Sequence, residues 1–218
     1  MRPRWDPSPV WSGGDSYVVG GGPSLLNFDW GLVRGRNTIG CNSAFVLGAD
    51  IIKVCIFADF AWWEKIGRDQ LPEYGGIVVA SCPSLERENL PNWVLFMDRE
   101  EKRGLARLGK LSFNGNTGSL ALHLALMLGA RRVFLLGFDM KLSGDQKKAN
   151  WHDLRYQKAN GTIYKRFIAG FQAVARDLPG VYPGCEVWNV TNDSDLDCFP
   201  KVSPEIHFGC PVNKEVLV

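Results

Sequence analysis

Ser16-Tyr-Val-Val-Gly20, followed at once by Gly21-Gly-Pro-Ser-Leu25, decides the fold. A short β-branched run that ends in glycines predicts a buried strand. Pro23 suits the first turn of a helix, where its missing N–H costs nothing. The same figure recurs outward along the chain. Asn37-Thr-Ile-Gly-Cys-Asn42 and Asp50-Ile-Ile-Lys-Val-Cys-Ile-Phe57 read as the next two strands, and helical character follows over Ala58 to Ile66. Gly76-Ile-Val-Val-Ala80, Trp93-Val-Leu-Phe96, Arg132-Val-Phe-Leu-Leu-Gly137 and Glu186-Val-Trp-Asn-Val190 complete the set of strands.

Between the strands lie two strong helices. Thr117 to Leu128 is apolar almost all round, as expected of a helix buried against a sheet, and Gly129 supplies its stop. Thr162 to Leu178 is amphipathic, with Ile163, Phe167, Phe171 and Val174 at helical spacing. Apolar strands with little alternation, interleaved with helices, predict a mainly parallel sheet covered on both faces. The expected fold is one α/β domain of Rossmann-like, doubly wound type; the strand order cannot be read from these residues. Residues 1–14 read as an irregular arm, 15–200 as the nucleotide-binding domain and 201–218 as a tail packed on it.

Composition excludes several function classes. At 218 residues, 45% hydrophobic and 22% charged, the chain is neither a disordered tail nor a coil. No apolar run is long enough to cross a bilayer, and Met1 to Val10 has no leader-like apolar core, so a soluble, cytoplasmic protein is expected. A net charge of +2 argues against a protein that coats nucleic acid. The local basic clusters Arg99–Arg107 and Lys141–Lys148 read first as solvated surface and second as anion sites. Six cysteines form no Cys-x-x-Cys pair, and His207-Phe-Gly-Cys210 offers too few ligands for a metal. No metal site and reduced thiols are expected.

In doubly wound sheets, ligands bind at the carboxyl ends of the strands. That rule selects Gly20–Ser24, Asn42–Ser43, Asp59, Asn114–Ser119 and Asp139. Gly20, Gly22 and Ser24 read as a helix start whose N–H groups face a phosphate, or as a turn that merely allows close packing. The loop matches neither the dinucleotide fingerprint nor a Walker loop. Asn116, Thr117, Gly118 and Ser119 form a second such corner, with Thr117 or Ser119 alternatively an ordinary cap. Of the histidines, His123 reads as a core residue and His207 as part of the tail. His152, with Asp153 or another carboxylate to orient it, is the candidate general base. Arg155, Tyr156 and Tyr164 are nearby donors for a leaving phosphate, or surface and packing groups.

Val18-Val-Gly-Gly-Gly-Pro-Ser-Leu25, Gly40-Cys-Asn-Ser43, Asn116-Thr-Gly-Ser119 and Val133-Phe-Leu-Leu-Gly-Phe-Asp139 resemble motifs of the bacterial lipooligosaccharide sialyltransferases. They equally resemble the hydroxymethylpterin pyrophosphokinase-like proteins, many of them phage-encoded, whose characteristic end is similar to Val187–Pro200. The first resemblance implies a cytidine nucleotide held by Gly20, Gly22, Ser24, Asn42, Asn116, Thr117, Gly118 and Ser119. It also implies His152 as acceptor base, with Tyr156 and Tyr164 on the departing phosphate. At the strand ends, Asp139 is a catalytic candidate beside His152 and Tyr156, and Asp59 is a candidate nucleotide-binding residue. The second resemblance implies ATP with magnesium held by Asp59 and Asp139. Three functions follow as expectations. The first is a metal-independent glycosyltransferase that takes a nucleotide sugar as co-substrate and needs no cofactor. The others are a pyrophosphokinase and a nucleotide-binding protein without catalysis. A phage setting implies a glycan or a modified DNA base as acceptor, although charge gives no sign of DNA; no membrane partner is expected, and a homo-oligomer is left open.

Overall fold

Nine strands are present among the described residues: β1 (Asp15–Val19), β2 (Thr38–Cys41), β3 (Val54–Phe57), β4 (Ile77–Ala80), β5 (Val94–Phe96), β6 (Arg99–Glu100), β7 (Leu111–Ser112), β8 (Arg132–Leu136) and β9 (Glu186–Asn189). The structure is a computed structural model and describes residues 5–86, 90–106, 109–142, 150–154 and 161–209. Seven strands form one sheet in the order β5-β4-β3-β2-β1-β8-β9, and every pairing in it is parallel. All seven strands expected from the sequence are in this sheet. The chain winds outward from β1 to β5, then crosses back to β8 on the other side of β1. The order therefore reverses between β1 and β8, which is where such sheets open a crevice.

Each strand buries side chains on both faces, which is why its sequence shows no alternation. Val18, Ile39, Val54, Ile56, Val133 and Leu135 enter one core, while Tyr17, Val19, Cys55, Phe57, Phe134 and Leu136 enter the other. The helices are α1 (Phe60–Trp62), α2 (Arg68–Gln70), α3 (Pro83–Glu86), α4 (Thr117–Met127), α5 (Thr162–Val181) and α6 (Pro204–Phe208). A single widened turn, Trp63–Gly67, joins α1 to α2. Helix α4 lies against β1, β2 and β3 with α5 beside it, so its Leu120–Leu126 stretch is buried all round. Helix α5 continues past the expected end at Leu178 and carries Pro179 in its last turn. A proline there removes one hydrogen bond near an end that would fray in any case.

The small parallel ladder β6–β7 was not foreseen, because two-residue strands leave no periodic signal. The sheet edges are covered. Trp5 N–H donates to Phe96 O on β5 (2.8 Å), and the Pro200–Val202 segment pairs with Asn189 on β9. In α6, His207 sits against Phe134 and Tyr17, with its Nε2 3.1 Å from the Tyr17 hydroxyl.

Candidate functional site

A cavity of about 420 Å³ opens at the carboxyl ends of β1, β2, β3 and β8. It collects residues from seven separate stretches of sequence. Gly20, Gly22, Asn42, Asp59, Asn116, Thr117, Gly118, Asp139, His152 and Tyr164 all line it, as do Lys141 and Arg166. Tyr156 and Arg155 lie outside the described residues. Ser24 and Ser119 do not line the cavity.

The first corner is built for packing. Gly20 N–H donates to Leu136 O (2.8 Å) and Gly22 N–H to Gly137 O (2.9 Å). Ser24 N–H and Oγ–H donate to the two oxygens of Asp139 at 2.9 and 2.8 Å. The helix expected at Pro23 is a three-residue 3-10 turn, Pro23–Leu25, too short to carry a dipole. The expectation that these N–H groups and the Ser24 hydroxyl face a phosphate is therefore corrected: they hold the β1 turn to the β8 turn. The glycines have the same cause. A Cβ on Gly22 would stand 1.8 Å from Asp139 Oδ2, and one on Gly20 would stand 2.7 Å from Gly137 O.

Asp139 is 5% exposed, and burial pushes its carboxyl above the usual carboxylate range, with the Ser24 bonds pulling it partly back. With one bond from Ser24 to each oxygen, it ties the β1 turn to the β8 turn while also lining the cavity.

The second corner opens differently. Asn116 is the N-cap of α4: its Oδ1 accepts from Ser119 N–H at 2.7 Å, the place expected of Thr117 or Ser119. Ser119 is corrected as a ligand contact. Its hydroxyl is fully buried, donates to Ser112 O (3.0 Å) and accepts from Asn114 Nδ2 (2.7 Å). Helix geometry leaves the N–H groups of Thr117 and Gly118 without intrahelical partners, at the positive end of an eleven-residue helix and on the cavity wall. A Cβ on Gly118 would meet the Phe138 ring at 2.5 Å, so the helix start is pressed against the β8 turn.

Behind this corner, His123 is buried. Its Nδ1 accepts from Ser112 N–H (3.1 Å), and its Nε2 lies 2.9 Å from the Tyr182 hydroxyl. Burial pushes its pKa down to about 4, which keeps the ring neutral.

Two further walls complete the crevice. Trp151 ties its segment to the first corner, with N–H to Gly21 O and Nε1–H to Gly20 O, both at 3.0 Å, and its ring packs on Trp30. This anchoring sets His152 at the cavity. Asp153, expected to orient that imidazole, is exposed and does not line the cavity. On α5, Tyr164 and Arg166 share a wall with Ile163 and Phe167, as helical spacing dictates. The Tyr164 hydroxyl is raised above its ordinary pKa, first by burial and then by the neighbouring Asp139. Among the described residues no carboxylate pairs with Arg166, whereas Lys141 is bonded to Asp193 and lies 3.7 Å from Asp195. Arg166 was missed because an arginine on the polar side of an amphipathic helix reads as solvated surface.

The acids expected to hold magnesium fit that task poorly. Asp59 caps α1, with its Oδ1 accepting from Ala61 N–H at 2.9 Å and Trp62 N–H at 3.4 Å, and Asp139 is held by Ser24. Among the described residues no three His, Cys, Asp or Glu side chains are grouped to hold a metal ion. Cys41, Cys55, Cys82, Cys185 and Cys198 are free thiols. Among the described residues no helix is long and apolar enough to cross a membrane.

A fully parallel, doubly wound sheet with its crevice at the β1/β8 switch point places the chain in the Rossmann-like α/β class. No protein-family model matches the chain, and no curated protein matches it in sequence. Among solved structures it is similar to a Maf glycosyltransferase from Magnetospirillum magneticum AMB-1. The TM-score is 0.59 at 16% identity, covering 91% of this chain and 35% of that one. The chain thus spans about a third of that protein. It also matches the sialyltransferase CstII from Campylobacter jejuni, solved with the substrate analogue CMP-3FNeuAc. There the TM-score is 0.47 at 14% identity, covering 87% of this chain and 85% of that one. At 16% identity the likeness to the Maf glycosyltransferase is one of fold alone.

Proposed function

We propose that the crevice binds a nucleotide-activated sugar and that the chain transfers the sugar to an acceptor hydroxyl without a metal. One observation carries the reading. The N-terminus of α4, Arg166 and Tyr164 converge on one cavity at the switch point, together with an imidazole, His152. The free N–H groups of Thr117 and Gly118 and the Arg166 guanidinium suit the phosphates of the donor, where leaving-group charge develops. His152 takes the proton from the acceptor hydroxyl as its oxygen attacks the anomeric carbon. The bond from that carbon to the phosphate oxygen breaks, and the nucleotide leaves on the opposite face with inversion. Tyr164 donates to the departing phosphate. The shared fold with a glycosyltransferase supports the reaction class. The pyrophosphokinase reading is disfavoured, because the two acids it needs cap backbone N–H groups.

The test is a panel of nucleotide sugars incubated with EDTA-treated protein and read by mass spectrometry. One donor is expected to be turned over. His152→Ala is expected to lower that turnover at least about a hundredfold while nucleotide binding persists. Turnover only with ATP and magnesium, or full turnover by His152→Ala, contradicts the reading.

A further inference from the structure

The crevice has two unlike sides. Lys141, His152, Tyr164 and Arg166 bring cations and donors to the β8/α5 side, whereas the β2/β3 side mixes Asn42, Ser43 and Asp59 with the apolar Cys41, Ala58 and Trp62, and Phe113 also lines the cavity. Phe113 follows β7 directly, is only partly buried, and lines the cavity. The Arg99 guanidinium carbon lies 3.7 Å from the centroid of its ring. At that separation the cation sits over the ring face and not beside its edge.

Arg99 is itself fixed in place. Its Nη1 donates to Ala58 O (3.0 Å) and Ser81 O (2.9 Å), its Nε donates to Glu101 (2.7 Å), and its side chain is 10% exposed. The arginine expected as surface or as an anion site is therefore neither. It clamps the ends of β3 and β4 and stands over the ring of Phe113, itself a residue of the cavity wall. A cation on one face draws electron density from the ring and favours a stacked aromatic on the other.

We propose that Phe113, backed by Arg99, is the platform on which the planar base of the bound nucleotide stacks. The proposal rests on the reading of the crevice as a nucleotide site and adds where the base lies: on the β2/β3 side, with the phosphates toward α4 and Arg166. Stacking of this kind tolerates any base, so the platform selects for a nucleotide over a sugar phosphate and not for one base over another.

Calorimetric titration of CMP, UMP, AMP, GMP and ribose 5-phosphate into wild type, Phe113→Leu and Phe113→Tyr tests this. Wild type is expected to bind at least one nucleotide. Phe113→Leu, which keeps an apolar side chain without a π face, is expected to weaken that nucleotide about tenfold or more while leaving ribose 5-phosphate unchanged. Phe113→Tyr is expected to stay within about twofold of wild type, since its ring preserves the stacking face. In wild type the base protons of the bound nucleotide shift upfield by ring current, a readout that needs no variant. Equal affinity in Phe113→Leu, equal loss of both probes, or no upfield shift overturns the platform alone. No nucleotide binding by wild type overturns the crevice reading and the platform with it.

Discussion

The two glycine-rich corners at the top of the sheet, Gly20–Ser24 and Asn114–Ser119, read alike as sequence and are built for different work. Both follow strands, both mix glycine with serine, and both stand at a helical start. In the first, the N–H groups of Gly20, Gly22 and Ser24 are all bonded to β8 and its turn, and the helix lasts three residues. In the second, one side chain, Asn116, caps an eleven-residue helix and leaves N–H groups at the cavity wall. A glycine corner attracts anions only where its amides are unspent and a real helix stands behind it. The first corner shapes the crevice; the second is the one able to hold charge in it.

The largest expected effect breaks the first corner. Gly22→Ala puts a methyl 1.8 Å from Asp139 Oδ2, and Gly22 has an ordinary negative φ, so the clash is purely steric. Urea denaturation should show a loss of about 3 kcal/mol or failure to fold. Gly21→Ala, whose methyl meets only the tip of the Asn150 side chain at 2.7 Å, should cost about 1 kcal/mol or less. Equal effects would refute the packing account of this turn.

Next comes the support of the second corner. His123, with a folded pKa of about 4, holds Ser112 as a neutral ring. Unfolded, it titrates near 6.5, so between about pH 6.5 and 4 the unfolded chain binds the extra proton. Its contribution is therefore complete above about pH 6.5 and is lost as pH falls to about 4, amounting to about 3 kcal/mol. Denaturation midpoints across that range should fall in wild type by more than in His123→Gln; parallel curves would contradict this.

Asn116→Ala removes the cap, at about 1 kcal/mol of stability, and should also weaken nucleotide binding. Ser24→Ala removes one bond to Asp139, at about 0.5–1 kcal/mol, and should leave nucleotide affinity unchanged. Thermal melts with calorimetry separate the pair. A loss of affinity in Ser24→Ala and not in Asn116→Ala would reverse the assignment of the corners.

The sheet was legible because strands buried on both faces must be apolar throughout, as Val54–Phe57 and Arg132–Leu136 nearly are. Helix α4 was legible for the same reason. Strand order was not, since nothing local to β8 states that it lies beside β1. Positions at strand ends identified part of the cavity lining, Asn42, Asp59, Asp139 and Gly115–Gly118 included. What each side chain does there was hidden: whether a serine faces ligand or backbone depends on partners distant in the chain, as Ser24 and Asp139 show. Phe113 and Arg99 were unreadable because their stacking joins a strand to a loop across an element too short to predict.

The most direct measurement follows backbone amide shifts as metal-free protein is titrated with nucleoside monophosphates. The account predicts saturable shifts that are largest at Thr117 and Gly118 and small at Gly20 and Gly22. No saturable shift, or shifts centred on Gly20–Gly22, would contradict it.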